Sequence, residues 1–105
     1  MIVEERIYTL YPGKVPAFLK AYEEHGLEIQ RRILGHMVGY FHTEIGPQNQ
    51  IVHMWAYRDL ADRTERRARL GADAGWARFR EISLPMILTQ ENKILVPAPF
   101  SPRAL

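Results

Sequence analysis

A chain of 105 residues with 47% hydrophobic and 25% charged residues has the size and composition of one globular domain spanning residues 1–105. Its net charge of +2 is small, and the lack of cysteine rules out disulfides, thiol catalysis and thiolate-bound zinc. No apolar run approaches the ~20 residues of a membrane span, and MIVEERIY lacks the layout of a secretory signal. A cytoplasmic location with no membrane partner is therefore expected.

Ile2 to Tyr11 reads as a strand with β-formers at Val3, Ile7, Tyr8 and Thr9, ended by Pro12-Gly13. A helix is expected from Lys14 or Val15 to Leu34. Val15, Phe18, Leu19, Tyr22, Gly26, Ile29 and Ile33 form its apolar stripe, and Gly35 is its stop. Met37 to Ile45 and Gln50 to Tyr57 follow as two strands joined by the short loop Gly46-Pro47-Gln48-Asn49. Asp59 is a candidate N-cap for a helix over Leu60 to Leu70. Gly71 interrupts it, and Asp73 can cap a shorter helix carrying Trp76, Phe79 and Ile82. Pro85 closes that helix, Thr89 to Val96 is a last strand, and the prolines of PAPFSPRAL keep the tail extended. The order strand, helix, strand, strand, helix, strand is that of an α+β, ferredoxin-like unit.

Helices can cover only one face of such a sheet, so the other must be wet or buried against a partner. A four-residue hairpin loop pairs Phe41 with Met54, Thr43 with Val52 and Gly39 with Ala56. That small, apolar face suits the underside of the helices. The opposite face pairs Glu44 with Ile51, His42 with His53, Tyr40 with Trp55 and Val38 with Tyr57. Glu4, Arg6 and Tyr8 of the first strand share one face of the same mixed character, and Gln90 and Asn92 alternate with Glu91 and Lys93 in the last strand. Rings with polar tips suit an interface or a ligand cavity, so this face is expected to meet the sheet of a second, identical chain.

The stretches ERIYTLYPGKVPAFL, TEIGPQNQIVHMWAY, DLADRTERRARLGADAGWARF and LTQENKILVPAPFSP carry a resemblance to the NIPSNAP family of the dimeric α+β barrel superfamily. The resemblance extends over nearly the whole chain. It implies a homodimer of ferredoxin-like units whose sheets face each other around a lumen. It also implies bacterial members without a settled biochemical role and mitochondrial relatives linked to protein interaction. The positions that match are Arg6, Tyr8, Glu44, Gly46, Asn49 and His53, then Trp55, Tyr57, Arg63, Arg66, Trp76, Phe79 and Gln90. No catalytic signature comes with them.

The candidate ligand-binding residues are Arg6, Tyr8, His42, Glu44, His53, Trp55 and Gln90. His53 is the best catalytic candidate, as a proton acceptor or polariser, with Arg6 anchoring an oxyanion and Tyr8 and Trp55 as walls. A structural histidine remains the plainer reading. His42, His53 and Glu44 would form a metal set only if a register brought them together, and no metal or cofactor is expected. Tyr8, Tyr40, Trp55 and Tyr57 line a pocket for an apolar or aromatic molecule or else pack a dimer core. Glu44 is read as an ion-pair partner of Arg6 or Arg66, and Asn49 as a loop organiser. Arg63, Arg66, Arg67, Arg69, Arg78 and Arg80 read as a solvated helix face, and without interleaved aromatics they do not indicate a nucleic-acid partner. Three functions stay open: binding of a small molecule in the lumen, a protein-interaction module with a filled lumen, and a cofactor-independent oxygenase or isomerase using His53.

Overall fold

In the computed structural model, which describes all 105 residues, β1 is Ile2–Leu10 and ends at a turn where Gly13 takes φ +80°. The expected long helix is two: α1, Val15–His25, and α2, Leu27–Leu34, with a bend at Gly26. A Cβ on Gly26 would lie 3.0 Å from the Tyr22 ring and 3.2 Å from the Phe79 ring, so glycine lets α1 and the later helix touch. Gly35, at φ +92°, stops α2 in the left-handed region, as its position suggested.

The hairpin strands are β2, His36–His42, and β3, Gln50–Tyr57, joined by a loop of seven residues rather than four. Asn49 sits in that loop at φ 63°. Its carbonyl accepts from Leu10 N–H at 2.8 Å and its side-chain oxygen from Gly13 N–H at 3.2 Å, so it organises two loops at once. α3, Leu60–Ala72, is capped by Asp59, which accepts from Asp62 N–H at 2.8 Å. α4, Ala74–Ser83, is capped by Asp73, which accepts from Trp76 N–H at 2.9 Å. Both caps were legible. A single 3₁₀ turn around Pro85 leads into β4, Ile87–Leu95.

The strands form one antiparallel sheet in the order β2-β3-β1-β4, and the protomer is an α+β, ferredoxin-like fold. Its extents, 39 × 35 × 19 Å, are those of two layers: the sheet and a single stratum of helices.

The covered face is the reverse of the expected one. Glu4, Ile51, His53, Trp55 and Tyr57 are each at most 1% exposed, beneath the helices. Val3, Ile7, Val52 and Met54 are only half-buried on the open side, where Phe41 is 55% exposed. The hairpin register also differs by two residues, with Tyr40 opposite His53 and His42 opposite Ile51. A shift of two keeps the side chains from Gly39 to His42 on their own faces. A bulge at Val38 then turns Met37 towards Trp55 and leaves Val38 exposed.

Two small cores result. Leu10, Phe18, Tyr22, Ile51 and Phe79 join α1 and α4 to the sheet, while Ile33, Leu34, Trp55, Tyr57 and Leu70 join α2 and α3 to it. Gly26→Ala should overpack the first core and destabilise the fold by about 1–3 kcal/mol. Gly71→Ala, with nothing within 4 Å of the added carbon, should stabilise by roughly 0.5–1 kcal/mol. Urea unfolding of the two variants beside the parent measures both signs.

Candidate functional site

The layer between sheet and helices is unusually polar. The Glu4 carboxylate, fully buried, uses one oxygen to accept from Asn92 of β4 at 2.6 Å, Arg63 of α3 at 2.7 Å and Arg6 of β1 at 3.0 Å. Arg6 also donates through Nε to the Tyr8 hydroxyl at 3.1 Å. Burial by itself would raise the pKa of Glu4, but the hydrogen bonds from Arg63 and Asn92 and the two guanidinium charges hold it down at about 2.

Beside this network, Trp55 Nε1–H donates to His53 Nδ1 at 2.8 Å. An indole N–H can only donate, so Nδ1 is the acceptor and the proton of the neutral imidazole is on Nε2. Burial, reinforced by the Arg6 charge, lowers the pKa of His53 to about 3. At neutral pH His53 is an uncharged donor. Its Nε2 is buried and has no partner. The ring stacks on Tyr40 (centroids 4.6 Å apart), Tyr40 stacks on Tyr22 at 4.5 Å, and Tyr8 meets His53 edge-on at 4.9 Å.

These rings border a cavity of about 70 Å³. His53, Gln30, Phe18 and Ser83 lie at its buried end, and Tyr8, Tyr40 and Trp76 are half-buried around it. Arg80, Leu84 and Gln90 are exposed and form the mouth. Tyr22, Phe79, Ile87, Arg6 and Arg67 complete the lining, which contains no carboxylate. Gln30 is held in place by the Tyr22 hydroxyl, which donates to its Oε1 at 2.6 Å.

Of the candidate residues, Arg6, Tyr8, His53 and Gln90 come together at this cavity, and Trp55 stands behind His53 as its hydrogen-bond donor. They lie under the helices of one protomer, not in a lumen between two sheets. His42 and Glu44 are exposed at the hairpin end, away from the cavity. The expected pairing of His42 with His53 does not occur because the longer loop shifts the register, and no three His, Asp or Glu side chains converge as a metal site. Arg6 pairs with Glu4 and Arg66 with Asp62 (2.9 Å), so Glu44 is the partner of neither.

Arg67 reads in the sequence as solvated surface and is a half-buried cavity residue instead, while Arg80 is exposed as expected but borders the cavity mouth. Arg63, Arg66 and Arg67 all turn inward from α3. The spacing Arg63, Arg67, Leu70 was the available signal, since those residues share a stripe with a buried leucine. Reading charge as exposure hid it.

The buried ionisable groups set an acid limit. Asp62 is also held at about 2, first by the Arg58 backbone N–H and then by Arg66. Glu4, Asp62 and His53 all bind protons more readily in the unfolded chain, so folding stability must fall as pH falls. As pH falls below 6.5 the His53 contribution should build towards a slope of about 1.4 kcal/mol per pH unit, approached near pH 5. Glu4 and Asp62 steepen the loss below that. In a His53→Asn variant, whose Oδ1 stands where Nδ1 accepts from Trp55, the slope above about pH 5.5 should disappear while the lower limb remains. Urea midpoints from pH 3 to 8 check it.

A likeness to known proteins covers the whole arrangement. A crystal structure of a protein from Agrobacterium tumefaciens superposes with a TM-score of 0.96 at 53% identity, covering 97% of this chain and 98% of that one. An antibiotic biosynthesis monooxygenase superposes with a TM-score of 0.67 at 15% identity over 94% of this chain and all of its own, a likeness of fold alone. Protein NipSnap homolog 1 of Danio rerio is 33% identical over 106 aligned residues, covering 96% of this chain. The chain spans only 36% of that relative's length. The NIPSNAP family model matches residues 3–102, and with these relatives it shows that the chain belongs to the NIPSNAP family.

Proposed function

We propose that this NIPSNAP protein binds a small molecule in the cleft between its sheet and its helices, and that two copies join across the open sheet face. The observation that carries the first part is His53 Nε2–H, a buried donor without a partner at the inner end of a cavity walled by aromatic rings. Leaving such a donor unmatched costs about 1–3 kcal/mol, which a ligand acceptor would recover. Polar groups kept in this condition are characteristic of binding sites.

The tautomer narrows the chemistry. With Nδ1 engaged by Trp55 and Nε2 protonated, His53 can polarise a carbonyl or hold an oxyanion, but it has no free lone pair with which to accept a proton. This argues against a base-catalysed oxygenase or isomerase reading. It is compatible with a binding protein, or with an enzyme in which His53 only stabilises negative charge. A cavity with polar groups aimed into it also supports binding over a scaffold with a filled interior.

The pairing of two copies is supported by the uncovered band of Val3, Ile7, Phe41, Val52 and Met54. An apolar sheet face of this kind is rarely left to water, and a two-fold axis lets it cover itself. Trp55 is already buried by its own chain, so its fluorescence does not report on the pairing. Met54→Glu should leave the protomer folded and convert a dimer to a monomer in sedimentation equilibrium. A parent protein that is monomeric at micromolar concentration removes the second copy.

Ser83→Leu, which fills the buried end of the cleft, tests the binding site. Compact aromatic and carbonyl fragments should perturb the His53 Nε2–H resonance in the parent and leave it unmoved in Ser83→Leu. Perturbation that survives the blocked cleft, or none in the parent, overturns the reading.

A further inference from the structure

We infer that the ligand of the cleft presents a carboxylate, received by His53 Nε2–H and by the guanidinium groups of Arg67 and Arg80. This deepens the binding reading above and rests on it.

Charge on the cavity wall is the first ground. Arg6, Arg67 and Arg80 line the cavity, and no Asp or Glu does. The carboxylate whose charge reaches His53 and Arg67 is Glu4, and its one engaged oxygen already receives Arg6, Arg63 and Asn92. One negative charge thus faces four guanidinium groups in this part of the molecule. Neither Arg67 nor Arg80 takes part in any ion pair of the protomer, although Arg67 is half-buried. Burial, and then the like charge of Arg6, lowers the pKa of Arg67, as expected for a cation short of a counter-ion. Partly desolvated guanidinium groups are normally matched by an anion, because an unpaired charge in such surroundings is costly.

The donor pattern is the second ground. An imidazole N–H and a fork of guanidinium N–H groups offer donors only, and no lining residue supplies a carboxylate acceptor to compete for them. A group made of acceptors fits, and a carboxylate takes guanidinium in paired, parallel hydrogen bonds. Space and shape are the third. The cavity of about 70 Å³ has room for a small planar acid head. The stacked rings of Tyr22, Tyr40 and His53, with interplanar angles of 19° and 25°, all border it. A larger ligand would leave its remainder at the mouth, against Leu84 and Gln90.

Matched acids and amides make the test. Propanoate and benzoate are titrated beside propanamide and benzamide, with inorganic phosphate as a separate arm, all at constant ionic strength, while the His53 Nε2–H resonance is followed. The acids should bind at least roughly tenfold more tightly than their amides, as a charge-assisted hydrogen bond requires. Arg67→Met and Arg80→Met should each remove most of that preference and leave amide binding within about twofold. Arg80 is exposed, so its variant keeps the comparison meaningful if Arg67→Met does not fold. Acid and amide binding equally at His53 overturns the carboxylate and leaves the binding cleft standing. Phosphate binding more tightly than either acid also overturns the carboxylate in favour of a tetrahedral anion. Failure of every probe to reach His53 overturns both readings.

Discussion

A single buried carboxylate decides which way this sheet faces. Glu4 sits in the central strand β1, and one of its oxygens gathers donors from the same strand, from α3 and from the edge strand β4. A carboxylate taken out of water this completely is tolerable only when charged donors surround it. Arg63 can supply one only if α3 lies over the Glu4 side. Once that side is fixed, the alternation of β1 places Arg6 and Tyr8 beside Glu4, and the pairing with β3 brings His53 and Trp55 there too.

The cleft follows from the same constraint. A face carrying Glu4, Arg6, Tyr8, His53 and Gln90 does not close into a dry core, because its polar groups need partners and its rings leave gaps. Most partners are found within the chain: Trp55 for His53 Nδ1, Gln30 for Tyr22 and Tyr8 for Arg6. Of the buried polar atoms left without a partner, His53 Nε2–H lies at the cavity, with the Arg67 charge acting on it, while Glu4 Oε1, Tyr57 Oη and Arg63 Nε lie outside the cavity lining. Two apolar clusters flank this polar layer and supply the packing that it does not.

The open face is the complement of the same choice. Because the polar side lies under the helices, the apolar side of β1 and β3 is left without a cover in one protomer. The physical case for a second copy therefore rests on Val52, Met54 and Phe41 and not on Trp55. The open face is not uniformly apolar: towards β4 the band of Val3, Ile7, Val52, Met54 and Phe41 adjoins Glu91 and the Glu5–Lys93 ion pair (3.6 Å).

Much of the architecture was legible in the residues alone. The strand and helix order, the caps at Asp59 and Asp73, the stop at Gly35 and the role of Asn49 each follow from local chemistry, which acts over a few neighbouring residues. So does the grouping of most side chains by face, because strand alternation is local and survives a two-residue shift in register; only beyond the bulge do Met37 and Val38 exchange faces. What the sequence could not decide was which face would be covered. Polarity pointed the wrong way, since a mixed face looks wet until its partners are known, and those partners come from α3 and β4, far away along the chain. The same holds for Arg67, whose charge reads as solvent-facing until packing turns it to the cleft. Propensity and spacing act along the chain and were readable from it; the matching of buried donors with acceptors acts across space, and only the folded molecule determined it.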